Sequence, residues 1–582
     1  MRLTPLSLAI ALILLSACQP QPRRADVDAV AESKDEPFGQ LVAKSAEVDG
    51  GRRERQSVLA AAALAAQDQA NQSAVAAVAF APPPSPSSPA KLAMPALAIT
   101  APANTEHYAR HTDSPIQRVA ETPVSTFSID VDTGSYSNVR RMLLAGQRPP
   151  ADAVRAEEMI NYFDYGYAAP VTRATPFRVS TEIANAPWNP RHQLLQVGIQ
   201  GYRVARAEIP AANIVFLIDT SGSMQDADKL PLLKQSFREL VGQLRAQDRV
   251  SLVVYAGSAG LVLAPTAGDQ HERILAALDQ LEAGGSTNGG EGLKLAYAMA
   301  RQAFIARGVN RVVLATDGDF NVGTFDQKAL ETMIADQRRS GIALTTLGFG
   351  SGNYNDAMAE QLADLGNGNH AYIDSLNEAR KVLVEELSAT MLTIAEDVKI
   401  QLEFNPALVA EYRLIGYENR ALRREDFNND QVDAGEIGAG HDVTALYEIT
   451  LVGSGGDSAD PLRYRLPPSS GAPAAAGDEI AWLRLRYKQP GAAHSQLIES
   501  ALRRRQIHAQ PSARLRWSAA VAAYADLLRG GKNIGAFDWN QVRALAAGAG
   551  GDDRWGYRAE FLELVDRARA LTVGEQPLVV SQ

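Results

Sequence analysis

The chain contains the stretch Ile214-Val215-Phe216-Leu217-Ile218-Asp219-Thr220-Ser221-Gly222-Ser223, an apolar run that ends in one carboxylate and two hydroxyls. The apolar part predicts a buried β-strand, and the Ser-Gly-Ser that follows predicts a sharp turn at the carboxyl end of that strand. Asp219, Ser221 and Ser223 offer only oxygen atoms, which are the ligands that Mg²⁺ and Mn²⁺ prefer. The stretch therefore predicts a strand end that holds a hard cation.

Two further segments offer the ligands that such a site still needs. The glycine-rich residues 284–290 place a hydroxyl, that of Thr287, in a loop. The apolar residues 312–316 end in a second carboxylate, that of Asp317. Ligands of open α/β sheets bind at the carboxyl ends of the strands, so we expect Asp219 and Asp317 to meet at one edge of a sheet.

The order Asp-x-Ser-x-Ser, then a loop threonine, then Thr-Asp-Gly resembles the metal-ion-dependent adhesion site of von Willebrand factor type A domains. The resemblance implies that Ser221, Ser223 and Thr287 bind one divalent ion directly, and that Asp219 and Asp317 bind it directly or through water. The ion implied is Mg²⁺, with Mn²⁺ or Ca²⁺ as alternatives. In such a site an Asp or Glu carboxylate of a protein partner takes the open position on the ion.

Strand and helix patterns alternate through residues 209–395, which predicts an α/β domain with a doubly wound, mostly parallel sheet. A last helix, near residues 378–392, is expected to close this domain. The predicted strands are residues 214–219, 250–255, 312–316, 343–349 and 371–374, with 261–263 as a short edge strand.

The rest of the chain divides by composition and periodicity into six regions around this domain. Because alternating strands lie on both sides of the domain, we expect it to be inserted in, or flanked by, a β-sandwich. The regions are a signal peptide (1–18), a disordered Ala/Pro-rich tether (19–120), a small helical module (121–170), sandwich strands (171–208), the sandwich remainder (396–490) and a helical region (491–582).

The only cysteine among the 582 residues, Cys18, follows an N-terminal apolar stretch. That stretch is shorter than the roughly 20 residues of a membrane span, which favours an export signal. Leu15-Ser16-Ala17-Cys18 resembles the bacterial lipobox, which implies that Cys18 becomes the lipidated N-terminus. Gln19 stands where the inner-membrane retention signal of lipoproteins places Asp, so we expect an outer-membrane lipoprotein of the cell envelope, facing the periplasm or the exterior.

The charge balance excludes one large class of partners. The chain has 57 Lys and Arg against 67 Asp and Glu, a formal net charge of −10. Binding to nucleic-acid phosphates needs a basic face. We therefore expect no nucleic-acid partner.

Two other acidic motifs mimic functional sites. Asp132-Thr133-Gly134-Ser135 resembles an aspartic-protease turn, but such enzymes need two carboxylates and the chain has no second Asp-Thr-Gly. Asp426-Phe427-Asn428-Asn429-Asp430 suggests a calcium loop, but Gln431 stands where the loop needs glycine and Ile437 where it needs glutamate. We expect neither motif to be catalytic or to bind calcium.

These patterns predict a lipid-anchored envelope protein that is not an enzyme and binds a protein partner through a divalent ion. One alternative is a metal-dependent hydrolase in which the ion activates water, although no general base is evident. The other alternative is a passive envelope scaffold in which the type A domain is only structural.

Overall fold

The computed structural model describes residues 106–129, 132–318, 320, 327–386, 389, 391–458 and 477–573. The predicted signal peptide, the lipidation site Cys18 and the predicted tether up to residue 105 lie outside the described residues. Among the described helices, none combines the length and the apolar character that a bilayer crossing requires.

Strands and helices alternate in the middle of the described chain, and strands dominate on both sides of it. The strands are β1 (Gln117–Arg118), β2 (Val124–Ser128), β3 (Phe177–Ala186), β4 (Asn189–Gly201), β5 (Ala212–Asp219), β6 (Arg249–Tyr255), β7 (Ala259–Ala267), β8 (Val309–Thr316), β9 (Ala343–Phe349), β10 (His370–Ile373), β11 (Thr393–Phe404), β12 (Val409–Ile415), β13 (Gly435–Gly438), β14 (Asp442–Leu451), β15 (Glu479–Lys488), β16 (Gln496–Arg503) and β17 (Ile507–His508). The helices are Gly134–Leu144, Ala156–Asn161, Leu230–Val241, His271–Asp279, Gly289–Gln302, Gln327–Arg339, Asp356–Leu365, Leu376–Arg380, Ala513–Leu528, Trp539–Ala547 and Tyr557–Val573.

The central sheet has the strand order β10-β9-β8-β5-β6-β7. All neighbouring strands in it are parallel except β6 and β7, which are antiparallel. Buried apolar residues on both faces pack against helices, which explains why β5 reads as an unbroken apolar run. The predicted doubly wound, mostly parallel sheet is confirmed.

Two details of this domain differ from the prediction. The edge strand β7 covers nine residues instead of the three at 261–263, because it pairs antiparallel with β6 along its length. The closing helix begins at Leu376–Arg380 and continues as one π-helical turn, Lys381–Glu385. Such turns are rare and are typical of single-turn bulges in α-helices.

Two further sheets combine strands from both sides of the central domain. One has the order β1-β12-β14-β4-β3-β17, and the other has β13-β11-β15-β16 with β2 also paired to β11. β4 pairs with β14 and β2 with β11, although the whole central domain separates them in sequence. The inward side chains of both sheets, such as Phe127, Leu195 and Ile400, form one hydrophobic core.

The predicted start of the helical C-terminal region at residue 491 is wrong. β16 pairs antiparallel with β15 along its length, and its Leu502 is buried in the core of the two sheets. The sequence Gln496-Leu497-Ile498-Glu499-Ser500-Ala501-Leu502-Arg503 lacks a clean alternation, so the strand is fixed by its partner rather than by its pattern. The helical region begins at Ala513.

The predicted boundary of the tether at residue 120 is also wrong. Glu106 accepts a hydrogen bond from the backbone N–H of Gly352 at 2.8 Å, and the N–H of His107 donates to the carbonyl of Tyr354 at 2.9 Å. β1 pairs with β12 a few residues later. Contacts with distant parts of the chain, rather than local composition, order residues 106–120.

Arg140 joins the small N-terminal helices to the rest of the protein. Its guanidinium donates to Asp374, just past β10, at 2.8 Å and to Glu378 of the closing helix at 2.7 Å. It also donates to Glu560 of the C-terminal helix at 3.0 Å. Only 1% of the Arg140 side chain is exposed, so these charge-assisted bonds lie in a region of low dielectric constant.

Replacing Arg140 by Met should destabilise the protein by about 3–5 kcal/mol, because it leaves buried carboxylates without the cation they contact. Burial already raises the pKa of Glu378. Denaturant titration followed by tryptophan fluorescence measures the loss. Arg238→Met, which breaks an exposed ion pair with Asp279, is the matched control and should change stability by less than about 1 kcal/mol. Equal losses in the two variants would contradict the assignment of Arg140 as a buried anchor.

Candidate metal centre

The two predicted carboxylates lie at the topological switch point of the central sheet, where successive strands are added on opposite sides of β5. β5 is the first strand of this sheet in sequence, with β6 on one side of it and β8 on the other. A crevice forms at the carboxyl ends of strands where the order reverses in this way. Asp219 is the last residue of β5, Asp317 directly follows β8, and both are fully buried. The structure therefore brings these two predicted residues together.

Asp219 is held by the turn that follows it. One carboxylate oxygen accepts from the backbone N–H of Ser221 at 2.8 Å, and the other lies 3.4 Å from the Thr316 hydroxyl. Burial raises the pKa of Asp219 to about 6, and the nearby charge of Asp317 adds to the rise, while the Ser221 N–H opposes it. The carboxylate is thus ionised at neutral pH but poorly compensated, which favours an incoming cation.

The two serines of the motif lie side by side. The Ser221 and Ser223 hydroxyl oxygens are 3.0 Å apart, within hydrogen-bond distance of each other. The turn that carries them is the short 3₁₀ helix Gly222–Gln225. This separation places both hydroxyls close enough to act on one small ligand.

Two backbone hydrogen bonds attach the glycine-rich loop to this turn. Gly222 N–H donates to the carbonyl of Gly285 at 3.0 Å, and Gly284 N–H donates to the carbonyl of Thr220 at 2.8 Å. Gly285 has φ of +87°, a conformation that only glycine adopts without strain. The half-buried Thr287 follows two residues later, so the third predicted segment is also brought to the crevice.

Two residues that the sequence did not indicate complete the surroundings of Asp317. The ammonium of Lys229 lies 3.0 Å from the Asp317 carboxylate and 3.1 Å from the side-chain oxygen of Asn353. The Asn353 amide in turn donates to Asp317 at 3.1 Å. Neither residue belongs to a recognisable spacing, so only the folded chain reveals them.

The donor set fits a hard divalent ion. Asp219, Asp317, Ser221, Ser223 and Thr287 present carboxylate and hydroxyl oxygens, which suit Mg²⁺ and Mn²⁺. Within the described ranges, no group of three or more His, Cys, Asp or Glu side chains has the geometry of a metal site. An ion here would therefore depend on the hydroxyls as well as the two carboxylates, and the five ligand assignments stay predictions.

The structure gives the other two acidic motifs structural roles. Asp132 accepts from the backbone N–H of His370 at 2.8 Å, which joins the N-terminal module to β10. In the calcium-like loop, Asp426 is bound by Arg423 at 2.8 Å and Asp430 by the Ser495 hydroxyl at 2.6 Å. Their carboxylates are thus engaged in contacts within the fold.

A mostly parallel sheet with two carboxylates and a pair of serine hydroxyls at its switch point defines a von Willebrand factor type A domain. Family models agree: the von Willebrand factor type A domain model matches residues 213–386, and a second von Willebrand factor model matches residues 102–196. A third model, described as the C-terminal part of the uncharacterized protein YfbK, matches residues 389–571.

The chain is 49% identical over 474 residues to uncharacterized protein YfbK of Escherichia coli strain K12, covering 80% of this chain and 82% of that protein. The chain therefore belongs to the YfbK family of type A domain proteins. Uncharacterized protein sll0103 of Synechocystis is 31% identical over 29% of this chain and 39% of its own length. Human inter-alpha-trypsin inhibitor heavy chain H3 is 24% identical over 41% of this chain and 28% of its own.

Among solved structures, a von Willebrand factor type A protein from Catenulispora acidiphila is similar to the chain at 14% sequence identity. The similarity covers 66% of this chain and 88% of that protein, with a TM-score of 0.37. None of the relatives described here carries the name of an enzyme.

Replacing Asp219 by Asn should stabilise the metal-free protein at neutral pH. The pKa of Asp219 is about 6 in the folded chain against 3.8 ordinarily, so folding favours the protonated form. Wild-type stability is then lost as the pH rises through this range, by up to about 3 kcal/mol at 1.36 kcal/mol for each pKa unit. The gain of the variant should be absent below about pH 4, grow between about pH 4 and pH 6 and be complete above that range, as measured by denaturation in chelator.

The matched control is Asp279→Asn, which changes an exposed carboxylate of the same domain. It should show no such gain. If the difference in unfolding free energy between Asp219→Asn and wild type were the same at both ends of the pH range, burial would not raise the pKa of the Asp219 carboxylate.

Proposed function

We propose that this protein binds a protein partner through a divalent ion held by Asp219, Ser221, Ser223, Thr287 and Asp317. The observation that carries the proposal is the meeting of Asp219 and Asp317 at the switch point of the sheet, beside two hydroxyls 3.0 Å apart. Membership of the type A domain family supports it. Mg²⁺ is the proposed ion, with Mn²⁺ and Ca²⁺ as alternatives.

The charge of the site favours binding over catalysis. With Lys229 beside Asp317, the two carboxylates do not fully neutralise a divalent ion, and hydroxyls add no charge, so a bound ion would remain attractive to an anionic group. An Asp or Glu side chain on the partner is the ligand that fits this attraction. The one acidic motif that resembled an enzyme site, at Asp132, is engaged with the backbone of β10.

We also propose that Cys18 is lipidated and holds the protein in the outer membrane. The support is the lipobox-like Leu15-Ser16-Ala17-Cys18 and the Gln19 that follows it. Several acyl chains, at about 0.8 kcal/mol for each buried methylene, would make the anchor effectively permanent. Such an anchor would keep the metal site at the envelope, where a membrane or envelope protein could meet it.

Affinity capture from envelope extract tests the binding proposal. Full-length tagged protein should capture one or more proteins in Mg²⁺, and chelator should release them. Asp219→Ala should lose the capture, because it removes the carboxylate on which the Ser221 turn is built. Asp279→Ala, in the same domain but exposed, is the control and should capture the same proteins as wild type.

Each result of the capture has a distinct meaning. Partners held equally with Mg²⁺, with chelator and by Asp219→Ala would contradict metal-mediated binding and favour the passive scaffold. If partners are retained by Asp219→Ala but released by chelator, the metal that mediates binding lies at another site.

Replacing Cys18 by Ser tests the anchor separately. The variant should lose incorporation of radiolabelled palmitate and should move from the membrane fraction to the soluble fraction of fractionated cells. The metal site is untouched by this change, so Mg²⁺-dependent capture should persist. Unchanged membrane association together with unchanged labelling would contradict the lipid anchor.

A further inference from the structure

A buried lysine lies directly against the candidate metal centre. Lys229 is 4% exposed, and it precedes the helix Leu230–Val241. Its ammonium is 3.0 Å from one Asp317 oxygen and 3.1 Å from the side-chain oxygen of Asn353. The Asn353 amide donates to the same Asp317 oxygen at 3.1 Å, so the three groups form a closed ring of polar contacts.

The fold provides a slot for the stem of this lysine. Gly350 has φ of +75°, and a Cβ at that position would overlap the methylene carbons of Lys229. Any other residue at Gly350 would therefore displace the lysine from Asp317. A buried ammonium is costly unless it is paired, so the position of Lys229 depends on the carboxylate it meets.

The lysine changes the charge that a metal ion would encounter. With both carboxylates ionised, Asp219, Asp317 and Lys229 sum to one negative charge. A divalent ion would then leave the site with one net positive charge. Without the lysine, the same two carboxylates would neutralise the ion fully, and the ion would be held more tightly but would attract an anion less.

We propose that Lys229 is an internal counter-cation that weakens metal binding in the free domain and makes it depend on the partner's carboxylate. This inference rests on the proposed function and adds a regulatory residue to it. A carboxylate that joins the site brings the missing negative charge, so metal and ligand each strengthen the binding of the other. This coupling is reciprocal by thermodynamic linkage.

The test compares Mn²⁺ binding by full-length wild type, Lys229→Met and Lys229→Gln, measured by isothermal titration calorimetry. Met keeps the length of the stem and removes the charge, whereas Gln also keeps a hydrogen-bond donor for Asp317. Lys294→Met is the matched control, because Lys294 is exposed and its ion pair with Glu291, at 3.3 Å, lies at the surface. Each titration is repeated with acetate, the probe for a ligand carboxylate.

Both Lys229 variants should bind Mn²⁺ at least about tenfold more tightly than wild type in the absence of acetate, because a positive charge close to the ion has been removed. Acetate should increase the Mn²⁺ affinity of wild type by a larger factor than that of the variants. Lys294→Met should match wild type in both respects. In thermal unfolding, saturating Mn²⁺ should raise the Tm of the variants more than that of wild type.

The outcomes separate this inference from the proposed function. If wild type and variants bind Mn²⁺ with equal affinity and respond equally to acetate, the role of Lys229 is overturned and the metal site stands. If the variants bind more weakly, Lys229 supports the site rather than opposing the ion, and the inference is again wrong. If no protein binds Mn²⁺ with or without acetate, the proposed metal site itself fails. Should Lys229→Met fail to unfold cooperatively, Lys229→Gln decides.

Discussion

The burial of β5 along its whole length is the constraint on which the functional region depends. Every residue from Ala212 to Asp219 is buried between β6, β8 and the helices on both faces. Polar atoms of this strand can therefore meet a ligand only at its carboxyl end. Because β8 runs parallel beside it, Asp317 arrives at the same end, and the site is a consequence of strand direction.

The cost of burying charge then determines which groups surround the two carboxylates at this edge of the sheet. Asp219 accepts a hydrogen bond from the backbone N–H of Ser221 and lies 3.4 Å from the Thr316 hydroxyl, and burial raises its pKa to about 6. Asp317 is instead compensated by Lys229. The two carboxylates are thus unequal, and the one at β5 carries the stronger demand for an incoming cation.

A second buried charge system ties the type A domain to its neighbours. Arg140 contacts carboxylates from the end of β10, from the closing helix and from the C-terminal helix. The pairings of β4 with β14 and of β2 with β11 join the segments that precede the domain to those that follow it. The domain is therefore joined to the neighbouring helices through its last elements, at Asp374 and Glu378, far along the chain from Asp219.

Local pattern in the sequence determined the mostly parallel sheet and the positions of Asp219 and Asp317 at strand ends, because an apolar run followed by a polar turn marks each strand end. The order of the strands within the sheet came only from the tertiary structure. Local pattern missed β16, whose residues do not alternate cleanly and pair only because β15 lies beside them. It missed Lys229 and Asn353, which reach Asp317 from loops far apart in the chain. Only the tertiary structure decided the pairing of β16 and the contacts of Lys229 and Asn353. Strand pairing and charge compensation depend on which distant segments meet, and a short stretch of sequence does not determine that.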